Sequence, residues 1–346
     1  MNSDLQPDYP DTPCATAPAN PAGVPFAGLT PECVLDALDS IGLRTDGRLL
    51  TLNSYENRVY QVGIEDSPFV VAKFYRPHRW SDAAILEEHA FVAQLAEHEI
   101  PAVPATVIDG RSLHTFADFR FSVFPRQGGR APELEDRDTL ERIGRFLGRL
   151  HAVGGTRVYQ ERPALDIAEF GTEPREFLLA HQFIPAELLD AYTTITTLAL
   201  EGVQHAFDRA GDVRSLRLHG DCHPGNVLWT DAGPHFVDFD DSRSGPAVQD
   251  LWMLLSGERA EQSRALGDLL AGYEDFCEFD TRELYLIEAL RTLRLIHYAA
   301  WLARRWDDPA FPAAFPWFNT QRYWEDRIIE LREQVAALSE PPLWPV

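Results

Sequence analysis

Residues 219–229 read HGDCHPGNVLW, and the eight positions from His219 to Asn226 hold two histidines, an aspartate, a cysteine and an asparagine. Several chemistries compete for such an octet. H-x-D-C-H does not match the ligand spacings of closed zinc sites. Cys222 as a nucleophile with His223 as its base needs two side chains that face each other, which adjacent residues rarely do. A purely structural turn is the bland reading, since His-Pro-Gly-Asn carries Pro and Gly at turn positions. The remaining reading is a loop that handles phosphate.

The downstream sequence favours phosphate. NVLW reads as a short strand, DAGP as a turn, and HFVDFDD as a second strand-like run that carries Asp238. A hairpin between them brings both ends to one edge. Phosphoryl transfer calls for a carboxylate that accepts or orients the proton of the attacking hydroxyl. It also calls for hard oxygen ligands that hold Mg²⁺ against the phosphates. Asp221 suits the first task, and Asn226 with Asp238 suits the second.

A kinase further needs a lysine on an inner strand, ion-paired to a glutamate on the helix that follows. VVAKFY places Lys73 in a β-branched run. SDAAILEEHAFVAQLAEHEI reads as a helix capped by Ser81, with Ile85, Glu88, Phe91, Val92 and Leu95 on one face. A carboxylate on an apolar face demands a partner. Lys73 is the natural one for Glu88, while Glu87 points toward solvent. A strand-edge charge is the commonplace alternative for Lys73.

The whole chain sets bounds on this reading. Its 346 residues, 45% hydrophobic and 11% aromatic, suffice for one large domain or two lobes. A net charge of −23 argues against a nucleic-acid surface and against docking on anionic lipid. It also means that a site for a polyanion needs local positive charge or metal ions. Four scattered cysteines without CxxC spacing suggest neither a disulfide framework nor structural zinc. No apolar run is long enough for a membrane span. The Pro-rich start lacks the basic and apolar regions of a secretory signal, so the cytoplasm is the expected location.

The elements divide at Pro125 and the Gly128-Gly129 pair. Residues 1–27 read as a disordered tail, 28–126 as a sheet-rich nucleotide-binding lobe, and 127–346 as a helical lobe carrying the octet. The first lobe opens on a helix with Thr30 as cap and Pro31 at its first position. Residues 47–64 and 67–77 read as a hairpin or the start of an antiparallel sheet, and 112–129 alternates like a hairpin. In the second lobe DTLERIGRFLGRLHAVG, AELLDAYTTITTLALEGVQHAF, AVQDLWMLLSG and RELYLIEALRTLRLIHYAAWLARRW read as helices, and WDDPAFPAAFPWF as an aromatic connection packed on them.

The order Lys73, Glu88, HGDCHPGN, FVDFDD resembles the aminoglycoside phosphotransferase and choline kinase group, relatives of eukaryotic protein kinases. Longer strings, among them LNSYENRVYQ, VAKFYRPHRW, ILEEHAF, LHGDCHPGNVLW and GPAVQDLWMLL, are similar to the bacterial stress response kinase A family, from about residue 28 onward. The resemblance implies an α+β, two-lobed, protein-kinase-like fold: a small antiparallel-sheet N-lobe and a large helical C-lobe. It implies Asp221 as catalytic base, Asn226 and Asp238 as Mg²⁺ ligands, and Lys73 with Glu88 as the phosphate-holding pair. NSYENRVY stands where protein kinases carry a glycine-rich loop, so N–H groups from Asn53 to Asn57 and the Ser54 hydroxyl would cover the phosphates. The purine would lie against FSVFP, near Phe121 to Phe124. His219 is expected to scaffold the loop, His223 to approach the phosphates or serve structure, and Asp250 to accept loop N–H groups.

The expected activity is ATP- and Mg²⁺-dependent phosphorylation of protein serine or threonine in stress survival, by a monomer. Its rivals are a kinase of small alcohols (an aminoglycoside, choline or a homoserine-like compound) and a nucleotide-binding pseudokinase. Ser242 and Ser244 are candidates for regulatory phosphorylation.

Overall fold

The computed structural model describes residues 24–345; most of the tail, residues 1–23, lies outside the described residues. Of the remainder of that tail, Phe26 is buried in the sheet's core, with the Arg58 guanidinium 4.5 Å above its ring. Helix α1 (Pro31–Asp39) begins where the Thr30 side chain accepts the Cys33 N–H at 3.2 Å. Five antiparallel strands follow: β1 (Thr45–Leu52), β2 (Arg58–Ile64), β3 (Ser67–Phe74), β4 (His114–Phe116) and β5 (Phe119–Pro125), in the spatial order β1-β2-β3-β5-β4. Ala117 and Asp118 join β4 to β5 with φ of 47° and 67°, the paired left-handed conformation that suits a two-residue hairpin. Val62, Ala72, Phe74, Phe121 and Val123 cover one face of the sheet and pack on Val34, Ala37 and Leu38 of α1. Alternation along β3 therefore sends Lys73 to the opposite face, in register between Val59 and Ser122.

Helix α2 (Asp82–Glu97) is capped by Ser81 and buries Ile85, Glu88, Phe91, Val92 and Leu95, the face that its periodicity predicts. Phe91, Val92 and Leu95 join the core of the helical lobe, with Leu140, Ile143 and Leu147 of α3 (Arg137–Gly154). Helix α2 is tied to the sheet as well, by the Tyr75 hydroxyl 2.8 Å from His89 Nε2 and by Arg120 of β5, which donates to Asp82 at 2.8 Å, so the sheet and the helices share one helix between them.

The helical lobe continues with α4 (Glu173–Ala180) and α5 (Leu189–Ala210), then four short strands: β6 (Leu216–Arg217), β7 (Val227–Thr230), β8 (Gly233–Phe236) and β9 (Ser244–Gly245). β7 and β8 form the expected hairpin, and β6 pairs with β9. The last elements are α6 (Val248–Trp252), α7 (Arg259–Tyr273), α8 (Ile287–Ala303), α9 (Ala310–Ala314) and α10 (Gln321–Leu338). AVQDLWMLLSG is helical only over α6, because its apolar side chains enter the core whether or not the backbone winds, and periodicity cannot separate the two. The aromatic connection packs on the helices as expected: Phe311, Phe315 and Phe318 share a core with Tyr192 of α5 and Trp324 of α10. No helix among the described residues is long and apolar enough to cross a membrane.

Candidate active site

The octet is a loop between β6 and the β7–β8 hairpin, and it is held mainly through its backbone. The Asp250 carboxylate, fully buried in α6, accepts the N–H groups of His219 at 2.7 Å and Gly220 at 2.8 Å. His151 adds its Nε2 to the same carboxylate at 3.0 Å, and Tyr273 completes the chain on His151 Nδ1 at 2.9 Å. The His219 ring reaches across to the Val237 carbonyl at 2.9 Å. Gly220 has φ 88°, and a Cβ there would strike the Asp241 carbonyl, so this position requires glycine. His219 and Asp250 thus sit where their expected scaffolding roles would place them. His223 accepts the Gly225 N–H at 3.0 Å through Nδ1, an intraloop bond.

Asp221, Asn226 and Asp238 come together at the open side of this loop. The Asn226 side chain donates to the Asp221 carbonyl at 2.9 Å, and the Val237 N–H donates to the Asn226 carbonyl at 3.1 Å, which sets Asp238 alongside. Asp221 receives Arg294 of α8 on Oδ1 at 2.7 Å, and its Oδ2 lies 3.6 Å from His223 Nε2. Asp238 adopts a left-handed backbone, φ 59° and ψ 66°, which costs a non-glycine residue on the order of 1 kcal/mol and persists only where its surroundings enforce it. Its side chain is half exposed. With the Asn226 amide nitrogen committed to Asp221, the amide oxygen remains available. That oxygen and the Asp238 carboxylate are hard donors on neighbouring hairpin ends, a set that fits Mg²⁺.

Lys73 and Glu88 are not bonded to each other, contrary to the expected ion pair. Lys73 Nζ lies 2.9 Å from Asp238 and 3.0 Å from Asp240, whereas Glu88 takes Arg162 at 2.6 Å. The reason is proximity of better counterions: each charge is neutralised by a partner at its own end of the cluster. Burial works against the Lys73 ammonium. The fields of Asp238 and Asp240, then Glu88, outweigh it and hold its pKa well above the usual lysine value. For Glu88 burial prevails over Lys73 and Arg162 and raises the carboxyl. Glu87 does not merely face solvent, because its carboxylate accepts the N–H groups of Gln160, Glu161 and Arg162 at 2.6–2.9 Å. Phe121 is also misplaced by the sequence reading. It stacks on Phe74 in the core on the far face of the sheet, so only Ser122 and the half-buried Phe124 share the Lys73 face. Ser54 lies half-buried in the β1–β2 loop.

A profile of the family described as "Phosphotransferase enzyme family" matches residues 49–287, from β1 to the start of α8. The chain belongs to this family. It is 46% identical to stress response kinase A of Escherichia coli (strain K12), over 94% of this chain and 98% of that protein. The same identity relates it to the serine/threonine protein kinase RdoA of Salmonella typhimurium (strain LT2), over 92% and 96%. Among solved structures, the amicoumacin kinase hAmiN in complex with AMP-PNP, Ca²⁺ and Ami superposes with a TM-score of 0.69, at 18% identity over 91% of this chain and 95% of that one. A microcompartment-associated aminopropanol kinase gives 0.67, at 18% identity over 88% and 95%.

For a phosphotransferase whose chain carries −23, the local charge of the cleft is decisive, and sequence reasoning overlooked most of it. Arg79 pairs with both Asp240 and Asp241, and Arg162 donates to the carbonyls of Ala84, Asp240 and Ser242 besides Glu88. Burial disfavours the Asp240 carboxylate, but Arg79 and Lys73 prevail and lower it to about 2. One signal for this region was in plain view. Lys73 is the single lysine among 31 basic residues, the rest being arginine. An ammonium is a compact point charge that a planar guanidinium does not replace where space is tight.

Proposed function

We propose that this chain is an ATP- and Mg²⁺-dependent serine/threonine protein kinase of the bacterial stress response, acting as a cytoplasmic monomer on a protein partner. The observation that carries the reading is the likeness, over 92–94% of the chain, to relatives named stress response kinase A and serine/threonine protein kinase RdoA, joined to an oxygen-rich edge where Asp221, Asn226 and Asp238 meet. In this reading Asp221 is the base. Arg294 fixes its Oδ1, so Oδ2 faces the acceptor. The hydroxyl oxygen bonds to the γ-phosphorus, the bond to the β–γ bridging oxygen breaks, and the hydroxyl proton passes to Asp221 as ADP leaves. Lys73 contacts the phosphates, with Glu88 adding to its field from behind Arg162. Ser54 and the N–H groups of residues 53–57 cover the phosphates. Asn226 and Asp238 would hold Mg²⁺, which when bound offsets negative charge on the phosphate oxygens.

The test is transfer from γ-labelled ATP to casein or myelin basic protein, set against transfer to small alcohols. Wild-type protein is expected to label the proteins, and Asp221→Asn to lose about 10³-fold in rate while still binding ATP. Asn226→Ala should raise the Mg²⁺ requirement about tenfold. Labelling of small alcohols alone would replace the protein-acceptor reading, and ATP binding without any turnover would make the chain a nucleotide-binding module.

A further inference from the structure

The β1–β2 loop has no glycine, and none of residues 53–57 takes a positive φ. Such a loop has little freedom to mould itself around phosphates. Its backbone is held from its own lobe, where Arg76 donates to the carbonyls of Glu56 at 2.9 Å and Tyr55 at 3.4 Å and Arg58 to those of Tyr55 and Asn57 at 3.2 Å, and its side chains are held from the other lobe. The Glu56 carboxylate accepts the Trp301 indole N–H at 2.6 Å and Arg305 Nη2 at 2.6 Å, and Arg76 Nε lies 3.0 Å from its other oxygen. Next to it, the Tyr55 ring sits 4.7 Å from that of Phe315. Asp308 ties down both Arg58 at 3.4 Å and Arg76 at 2.7 Å, and Asn57 accepts the Arg76 N–H at 3.0 Å. The Glu56 side chain is only 12% exposed, so these bonds are not competing with bulk water.

We propose that Glu56 is a positioning residue: tethered by Trp301 and Arg305 at the end of α8, it holds the glycine-free loop in the shape that receives the triphosphate. The tether does for this loop what backbone freedom does for a glycine-rich one. The inference rests on the nucleotide reading above. A competing effect has the opposite sign, because removing an acid near a triphosphate relieves repulsion and should tighten ATP. Two short charge-assisted bonds and a charge pair outweigh it if the loop opens without them.

Glu56→Ala and Trp301→Phe, each checked for folding by thermal melting, are compared with wild type. Three quantities are read: hydrogen exchange of residues 53–57 without nucleotide, the Kd of Mg-ATP, and KM against kcat. Both variants should speed exchange in the loop. If the competent shape falls to about a tenth of the population, Kd and KM for ATP rise about tenfold, with a smaller fall in kcat. Glu56→Gln, which keeps the indole bond, should recover part of the loss. Unchanged or tighter ATP binding in a folded variant overturns the proposal, as does a fall in kcat at constant KM. If Glu56→Ala does not fold, Trp301→Phe decides by the same criteria. Wild-type protein that binds no ATP would instead refute the nucleotide reading itself, a distinct outcome.

Discussion

The two sides of the cleft are built from different interactions. On the helical side, HGDCHPGN is fixed by backbone N–H and carbonyl groups converging on Asp250, His219 and Asn226, most of them buried. On the sheet side, Lys73, Arg79, Glu88 and Glu56 are fixed by charge pairs to Asp240, Arg162 and Arg305, side chains far away in sequence. Backbone bonds of the first kind give a loop one shape whatever is bound. Charge pairs of the second kind can be exchanged: in the proposed reading a phosphate chain and a metal ion would offer Lys73 and Asp238 replacement partners, so little desolvation would be added on their entry. In the proposed reading the base, Asp221, would be prebuilt and the cations kept neutralised until a polyanion arrives.

The contrast breaks most readily at Asp250. Asp250→Ala strands three buried donors, those of His219, Gly220 and His151, and should cost about 4 kcal/mol in denaturant unfolding, with transfer activity falling as well. A loss below about 1 kcal/mol would mean that the loop is not held by this carboxylate.

Glu283 is the exception on the helical side, a carboxyl under α6 that accepts the Val248 N–H at 2.8 Å and whose pKa burial raises from 4.5 to about 7. The folded chain keeps a proton there that the unfolded chain gives up above pH 4.5. Stability from this group is thus fully present at lower pH and declines as pH rises toward 7, by about 3 kcal/mol over the whole interval. Glu283→Gln should flatten that part of the stability–pH curve. An unchanged slope would assign the pH dependence elsewhere.

The smallest effect belongs to the sheet side. Ser54→Ala removes one hydroxyl from a loop whose N–H groups remain, so KM for ATP should rise only about threefold, with kcat nearly unchanged, in steady-state assays. A loss of a hundredfold would make Ser54 more than an auxiliary contact.

What could be read in the sequence follows the same division. Asp221, Asn226 and Asp238 were legible because their grouping needs only a short loop and one hairpin. The α2 face was legible because period 3.6 is a local property. The partner of Glu88 was not: its burial demands a cation, but whether Lys73, fifteen residues before it, or Arg162, 74 residues after it, supplies it depends on how three elements pack. Phe121 failed for a related reason, since a one-residue choice of register decides which face of β5 meets Lys73. Helices α4 and α10 went unread, although Trp324, Ile328 and Leu331 follow Thr320 at helical spacing, and Thr320 caps α10 by accepting the Tyr323 N–H.

Sharing α2 between the lobes limits how the cleft can breathe. Swinging the sheet and α2 away as one body would bare Phe91, Val92 and Leu95, on the order of 5 kcal/mol of apolar surface returned to water. Sliding the five strands over an anchored α2 would spare that surface but would break the ties of Asp308 to Arg58 and Arg76 and of Glu56 to Arg305, so both routes of opening are opposed.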